Sequence, residues 1–193
     1  MIIKPVNLVN HLIAAHPRRQ DKDFTRSVFL VAEHDPSQAM AYRIDAKSMS
    51  LDLSMIMTNL GIHGYIGNEP VYRGGTEHTN RLVLIHTLDY TCKSTHSIGN
   101  DLGISYDPSI LKDIAQGQGP RQYRVIAGCQ RWLGGFLEGE LSGRSPWSVE
   151  HTWSVIRPTT SLIFDYDEDS QWRKIIDCHA QEEICNWFSP VLG

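Results

Sequence analysis

No block of lysine and arginine interrupts this sequence, whose 18 basic and 22 acidic residues leave a formal charge of −4. Duplex DNA binding draws on clustered cations that displace phosphate counterions, so this composition counts against direct nucleic-acid binding. Cysteine is sparse too. Cys92, Cys129, Cys178 and Cys185 contain no C-x-x-C pair and no zinc spacing, which argues against a disulfide framework and for reduced thiols in the cytoplasm. No metal and no cofactor is expected. The stretch from Met1 to His16 is broken by Lys4, Pro5, Asn7, Asn10 and His11. It offers neither a signal-peptide core nor a membrane-spanning run of about 20 residues, so no membrane association is expected. There is no G-x-x-x-x-G-K-[ST] and no H-E-x-x-H, and the glycine pairs lack the strand-turn-helix setting of a dinucleotide fingerprint. Repeats, low-complexity tracts and domain linkers are also missing, and 193 residues suit a single domain.

What is present starts with Ser27–Ala32. Val28, Leu30 and Ala32 alternate with Phe29 and Val31, so both faces are apolar and the run reads as a strand covered on both sides. Asp35-Pro36-Ser37-Gln38 is a turn cluster, and 39–44 returns as a hairpin partner. Further strands are predicted over Val71–Arg73, Leu82–Ile85, Tyr123–Ala127, Trp153–Ile156 and Leu162–Phe164. A helix begins at Asp52 and stops at Gly61, another opens at Asp107-Pro108, a third covers 130–142, and Asp169 caps a fourth. The stretch from Pro5 to Ala15 reads as a short helix or an apolar arm. This mixed order without βαβ alternation predicts an α+β fold with a mostly antiparallel sheet.

Candidate chemistry gathers at strand ends. Glu33 and His34 follow the first strand and His86 follows another. On one side of the sheet they would make an acid/base or ligand-binding rim, although strand-end polar residues more commonly bond loop backbone. Gly74-Gly75, between Arg73 and Thr76 with Arg81 nearby, has the composition of an anion nest, or more simply of a tight turn. Cys129, ahead of the predicted helix, reads as a small packed residue. In that helix Glu140 falls on the apolar face set by Leu133, Phe136, Leu137 and Leu141, with Glu138 at its edge. An inward carboxylate needs a partner, for which Arg26 is the preferred cation. Ile184, Cys185, Trp187 and Phe188 form an apolar tail within 177–193, expected to fold back on the body, or otherwise to pair with a second copy.

Taken in order, Asp23-x2-Arg26-Ser27-Val28, Glu33-His34, Gly74-Gly75, His86-Thr87, Gly128-x3-Trp132-x2-Gly135-x-Leu137-Glu138-x-Glu140, Ile163-Phe164 and Trp172 resemble the YqgE/AlgH family of bacterial proteins. The similarity runs from about Asn7 to Ile176. It implies an α+β fold on a bulged, largely antiparallel sheet flanked by helices, and a non-enzymatic regulatory or interaction role with an unidentified protein or small-molecule partner. The family label is that of a transcriptional regulator, and it brings no catalytic residues. The chain departs from the family at 38–47. There Gln38-Ala39-Met40-Ala41-Tyr42-Arg43-Ile44-Asp45-Ala46-Lys47 replaces the usual G-A-x-G-x-x-x-N-x-P, marking a divergent member. The competing expectation is a small-molecule-binding protein or enzyme that uses the Glu33/His34/His86 rim with Gly74-Gly75.

Overall fold

A strand that is apolar on both faces needs cover on both faces, and the run after Arg26 receives it. The computed structural model describes residues 7–143 and 152–188. In chain order the strands β1 (Leu12–Ala15), β2 (Val28–Asp35), β3 (Gln38–Arg43) and β4 (Lys47–Asp52) lead to helix α1 (Leu53–Asn59). Next come β5 (Pro70–Arg73), β6 (Glu77–Thr87), β7 (Thr95–Ile98), β8 (Leu102–Ser105) and α2 (Ser109–Ala115). The chain continues through β9 (Tyr123–Leu133), α3 (Phe136–Ser142), β10 (Trp153–Ile156), α4 (Thr160–Phe164) and α5 (Glu168–Phe188).

The main path of the sheet runs β10-β1-β2-β3-β9-β6-β8-β7, every neighbouring pair antiparallel. β5 adds to β9 in parallel and carries β4 on its other edge. The expected α+β, bulged and mostly antiparallel single domain is therefore the observed one. On β2, Val28, Leu30 and Ala32 join one core with Tyr42, Ile126 and Ile175, while Phe29 and Val31 join another with Trp132, Trp153 and Leu137. A third core packs α1 and α2 against Val71, Leu84 and Val125. Asp52 caps α1 by accepting from the Met55 amide, and Gly61, at φ 67°, ends the turn.

Several expectations are corrected. Leu12–Ala15 is a strand, not part of a helix or arm, and all four residues are buried between β2 and β10. The predicted helix over 130–142 starts late. β9 continues to Leu133 because β3 pairs with residues 130–133, and α3 begins only after Gly134-Gly135. Cys129 accordingly lies in a strand, where burial pushes its thiol pKa up. Leu162–Phe164 is helical. A short apolar run does not distinguish the two states, and the Thr159 hydroxyl accepts from the Leu162 amide to cap α4. At the start of α5 the Asp167 N–H donates to Ser170 Oγ, half of a capping box, while Asp169 lies within the first turn and caps nothing.

The tail does not fold back. α5 runs through to Phe188, about 31 Å in all at 1.5 Å per residue, and leaves Trp187 88% and Phe188 83% exposed. At about 100° per residue, Ile184 lies about 180° from the buried Ile175, and Trp187 and Phe188 about 120° to 140° from it, so this stripe faces away from the body. None of the described helices is long and apolar enough to cross a membrane.

Candidate functional site: a cleft beside the β2 bulge

Strand alternation alone would put Glu33 on the face of Phe29 and Val31, and His34 on the face of Val28 and Leu30. The pairing shifts between Val31 and Glu33: Val31 faces Ala41, but Glu33 faces Met40 and His34 faces Ala39. One extra residue inverts the phase, so neighbouring residues go to opposite faces from those expected. His34 turns toward α3. Its Nδ1 accepts from the Leu8 amide at 3.1 Å, which leaves Nε2–H to donate to Glu138 Oε1 at 2.9 Å. Beside it, Glu140 Oε2 accepts from the Trp153 indole at 2.6 Å and pairs with Arg19 at 3.2 Å, while the Arg19 guanidinium stacks over Phe24 and Trp153. The inward carboxylate has its cation, but Arg19 rather than Arg26. Arg26 is exposed, pairs with Asp169 at 3.2 Å and lies over Trp172.

Glu33 turns to the other face and lines a half-open cavity of about 740 Å³, shared with Met40, Tyr42, Arg81, Tyr106 and Arg131. That volume suits a small molecule. Arg131 on β9, Met40 on β3 and Glu33 on β2 stand in one cross-strand row. Two strand spacings put the backbones of Arg131 and Glu33 about 10 Å apart, with the methionine between them. Arg131 donates to the Gln38 side-chain oxygen. The exposed side chains of Glu33 and Arg81 have no hydrogen-bond or ion-pair partner among the described residues. The Tyr42 hydroxyl donates to that of Tyr106 at 3.5 Å, and burial pushes both phenols above their ordinary pKa.

Arg81 reaches the cleft through a second irregularity. Between Glu77, opposite Cys129, and Leu82, opposite Ala127, β6 spends more residues than β9, and the surplus bulges outward with His78 at φ 50°. The bulge rests on Gly128, at φ 82°, where a Cβ would come within 2.8 Å of the Glu77 carbonyl oxygen. Gly74 and Gly75 complete this seam. A Cβ on Gly74 would lie 2.1 Å from the Gly128 oxygen, and one on Gly75 2.2 Å from the Cys129 carbonyl carbon. Gly74 N–H donates to Ala127 and its carbonyl accepts from Arg43, each at 2.8 Å, so the pair is a close backbone crossing and not an anion nest.

His86 does not join the rim. It pairs with Tyr123 at the start of β9, whereas His34 connects through Ala39 to Trp132 near the end of that strand, so the two histidines stand at opposite ends of the sheet. His86 is fully buried: Nδ1–H donates to the Thr87 carbonyl, Nε2 accepts from Ser105 Oγ, both at 2.9 Å, and burial lowers its pKa. Another depression, of about 400 Å³, lies along Thr87, Asp89, Arg121 and Gln122. There Asp89 is already occupied by the Thr87 hydroxyl and the Arg121 amide. Among the described residues no group of three or more His, Cys, Asp or Glu side chains is placed to hold a metal ion. Sequence reading missed Met40, Tyr42, Tyr106 and Arg131. The available signal was Arg131 in an otherwise strand-like run, and it is legible only once that run is recognised as continuing β9.

The fold and the cleft define a single-domain α+β protein with a cavity of small-molecule size on one face of a bulged sheet. The chain belongs to the AlgH-like family, whose profile matches residues 12–182. A UPF0301 protein of Stenotrophomonas maltophilia is 30% identical over 176 residues, covering 90% of this chain and 89% of its own. One from a Marinomonas species is 29% identical over 166 residues, 84% of each chain. The solution structure of the AlgH protein from Pseudomonas aeruginosa superposes with a TM-score of 0.72 at 25% identity, covering 92% of this chain and 91% of that one. A Corynebacterium diphtheriae protein shares the fold, with a TM-score of 0.69 at 17% identity over 92% and 90% of the two chains.

Proposed function

We infer that this chain is a non-enzymatic binding protein that takes a small molecule into the cleft beside the β2 bulge and acts inside the cell through that occupancy. The observation that carries this is the cavity of about 740 Å³, to whose lining the exposed Glu33 and Arg81 bring charged side chains that no protein group engages. Both residues are exposed, unlike the half-buried Glu140, whose carboxylate is matched by Arg19 and Trp153. Binding is favoured over catalysis because the Tyr42 and Tyr106 hydroxyls and the Cys129 thiol are all pushed toward their protonated, unreactive forms by burial. Met40 and Tyr42 come from the stretch in which the chain departs from the family resemblance, so the ligand is expected to differ among relatives. Any effect on transcription is then indirect, consistent with the net charge of −4.

A thermal-shift screen of the full chain against a metabolite library tests this, with Met40→Trp to fill the cleft. Saturable hits that vanish in the variant support the reading. An empty screen, or hits indifferent to the substitution, overturns it. A second reading, self-association, rests on the outward stripe of Ile184, Trp187 and Phe188. Sedimentation of the wild type as a dimer and of Trp187→Ser/Phe188→Ser as a monomer would support it, and a monomeric wild type would dismiss it.

A further inference from the structure

The ligand's chemistry can be read from how the charges are laid out, granted that the cleft is the binding site. Arg81 and Arg131 supply two guanidinium groups to the lining and Glu33 the only carboxylate, so the charged lining is positive overall. Each guanidinium has five N–H donors, of which the described contacts use one on Arg131 and none on Arg81. Glu33 forms no ion pair with either arginine, because Met40 separates it from Arg131 in the cross-strand row. The rest of the lining is mainly apolar or aromatic, with Met40, Tyr42, Leu82, Val83 and Tyr106, and His78 and Asn80 add two uncharged polar side chains.

We propose that the cleft selects a small bifunctional molecule with an apolar, ring-sized body. It has an anionic head, carboxylate or phosphate, for Arg81 and Arg131, and an amine or other hydrogen-bond donor at the opposite end for Glu33. The guanidinium fork pairs two N–H donors with two oxygens of such a head. Glu33 contributes specificity: it accepts from the donor end and repels a ligand carrying negative charge at both ends, which disfavours dicarboxylates and other bis-anions. The Tyr106 hydroxyl, which accepts from Tyr42, keeps its own proton free to donate to the ligand.

Titration of the full chain with benzoate, benzylamine, 4-(aminomethyl)benzoate and the uncharged benzyl alcohol, followed by NMR, tests the assignment. Phenyl phosphate added to the set distinguishes a phosphate head from a carboxylate. The bifunctional probe is expected to bind tightest and benzoate about tenfold more weakly, the scale of one charge-assisted contact. Arg81→Gln/Arg131→Gln should weaken every anionic probe by about tenfold or more. Glu33→Gln should bring 4-(aminomethyl)benzoate down to the level of benzoate. Benzylamine binding tightest, or Glu33→Gln leaving the bifunctional probe unaffected, overturns the proposal. Benzyl alcohol matching the charged probes overturns the charge assignment but retains the cleft as a binding site. No shift with any probe counts against both.

Discussion

Glu33 and His34 are neighbours in the chain and opposites in the structure. His34 is almost fully buried against α3 and uses both ring nitrogens, on Leu8 and Glu138, while Glu33 faces the cleft with its carboxylate unpaired. The α3 face is closed: Arg19, Glu140, Trp153, His34 and Glu138 satisfy one another around an aromatic core. The cleft face is open, with charges placed at a rim over apolar floor. Buried polar groups left unmatched are costly, so a protein matches those that hold the fold together. Unmatched ones persist where solvent or a ligand satisfies them. The bulge at Val31/Glu33 decides which residue of the pair has which fate.

The most severe way to break this division is to disturb the seam on which both faces depend. Gly74→Ala places a Cβ 2.1 Å from the Gly128 carbonyl oxygen and 2.6 Å from Ile126 Cγ2, where two backbones hydrogen-bonded to each other have no room to part. A loss of about 4 kcal/mol or more is expected in denaturant unfolding. Gly61→Ala, where a Cβ would meet nothing within 4 Å, pays only for its φ of 67° and should lose far less. Because Gly74 has no positive φ, equal losses at the two positions would mean that the close approach there relaxes at little cost.

Next in size is the contrast itself. His34→Ala removes a nearly buried ring and strands the Leu8 amide, with an expected loss of about 2 kcal/mol. Glu33→Ala, one residue away, should leave the melting temperature within about 2 °C of wild type. A comparable loss at Glu33 would show that it stabilises the fold and would erase the distinction between the two faces.

Much of the closed face was legible in the sequence and little of the open one. The alternation of Val28–Ala32 marked a strand covered on both sides, and the apolar-face position of Glu140 predicted that it must have a partner. Which cation supplied it was not legible, because Arg19 reaches Glu140 across 121 positions of chain. The cleft depends on two irregularities of register and on a row through three strands, and no local period encodes either. The same limit explains the helix predicted over 130–142. Residues 130–133 fit a helical face locally, and only pairing with β3 holds them extended. His86 was misplaced for a related reason: a polar residue closing an apolar strand looks like a rim residue until β8 covers it with Ser105.

That burial sharpens the comparison through pH. Burial lowers the His86 pKa below its ordinary 6.5, so the unfolded chain takes up its proton at a higher pH than the folded one. Its contribution to stability is therefore complete above about pH 6.5 and declines as pH falls toward the depressed folded value. Chemical denaturation from pH 8 to pH 5 should show a drop in wild type that is smaller in His86→Gln, even though the variant starts lower. Identical slopes would mean that the buried ring is not the group responsible for the acid loss.

The smallest effect belongs to the end of α5, where the same division extends from polar to apolar side chains. Ile175 and Gln171 are fully buried, yet from Gln181 to Phe188 every residue is exposed, and Ile184 points about 180° away from Ile175. Apolar area already in water costs nothing to remove, so Trp187→Ser/Phe188→Ser should leave the unfolding free energy of the isolated monomer within about 0.5 kcal/mol. The rings should matter only when the chain has something to cover them. Measuring the variant's melting temperature over a hundredfold range of protein concentration separates the cases. A wild-type melting temperature that rises with concentration while the variant's stays flat would place the stripe in a contact between copies. A concentration-independent loss of several degrees would instead mean that Trp187 and Phe188 pack on the chain's own body, contrary to the outward course of the helix.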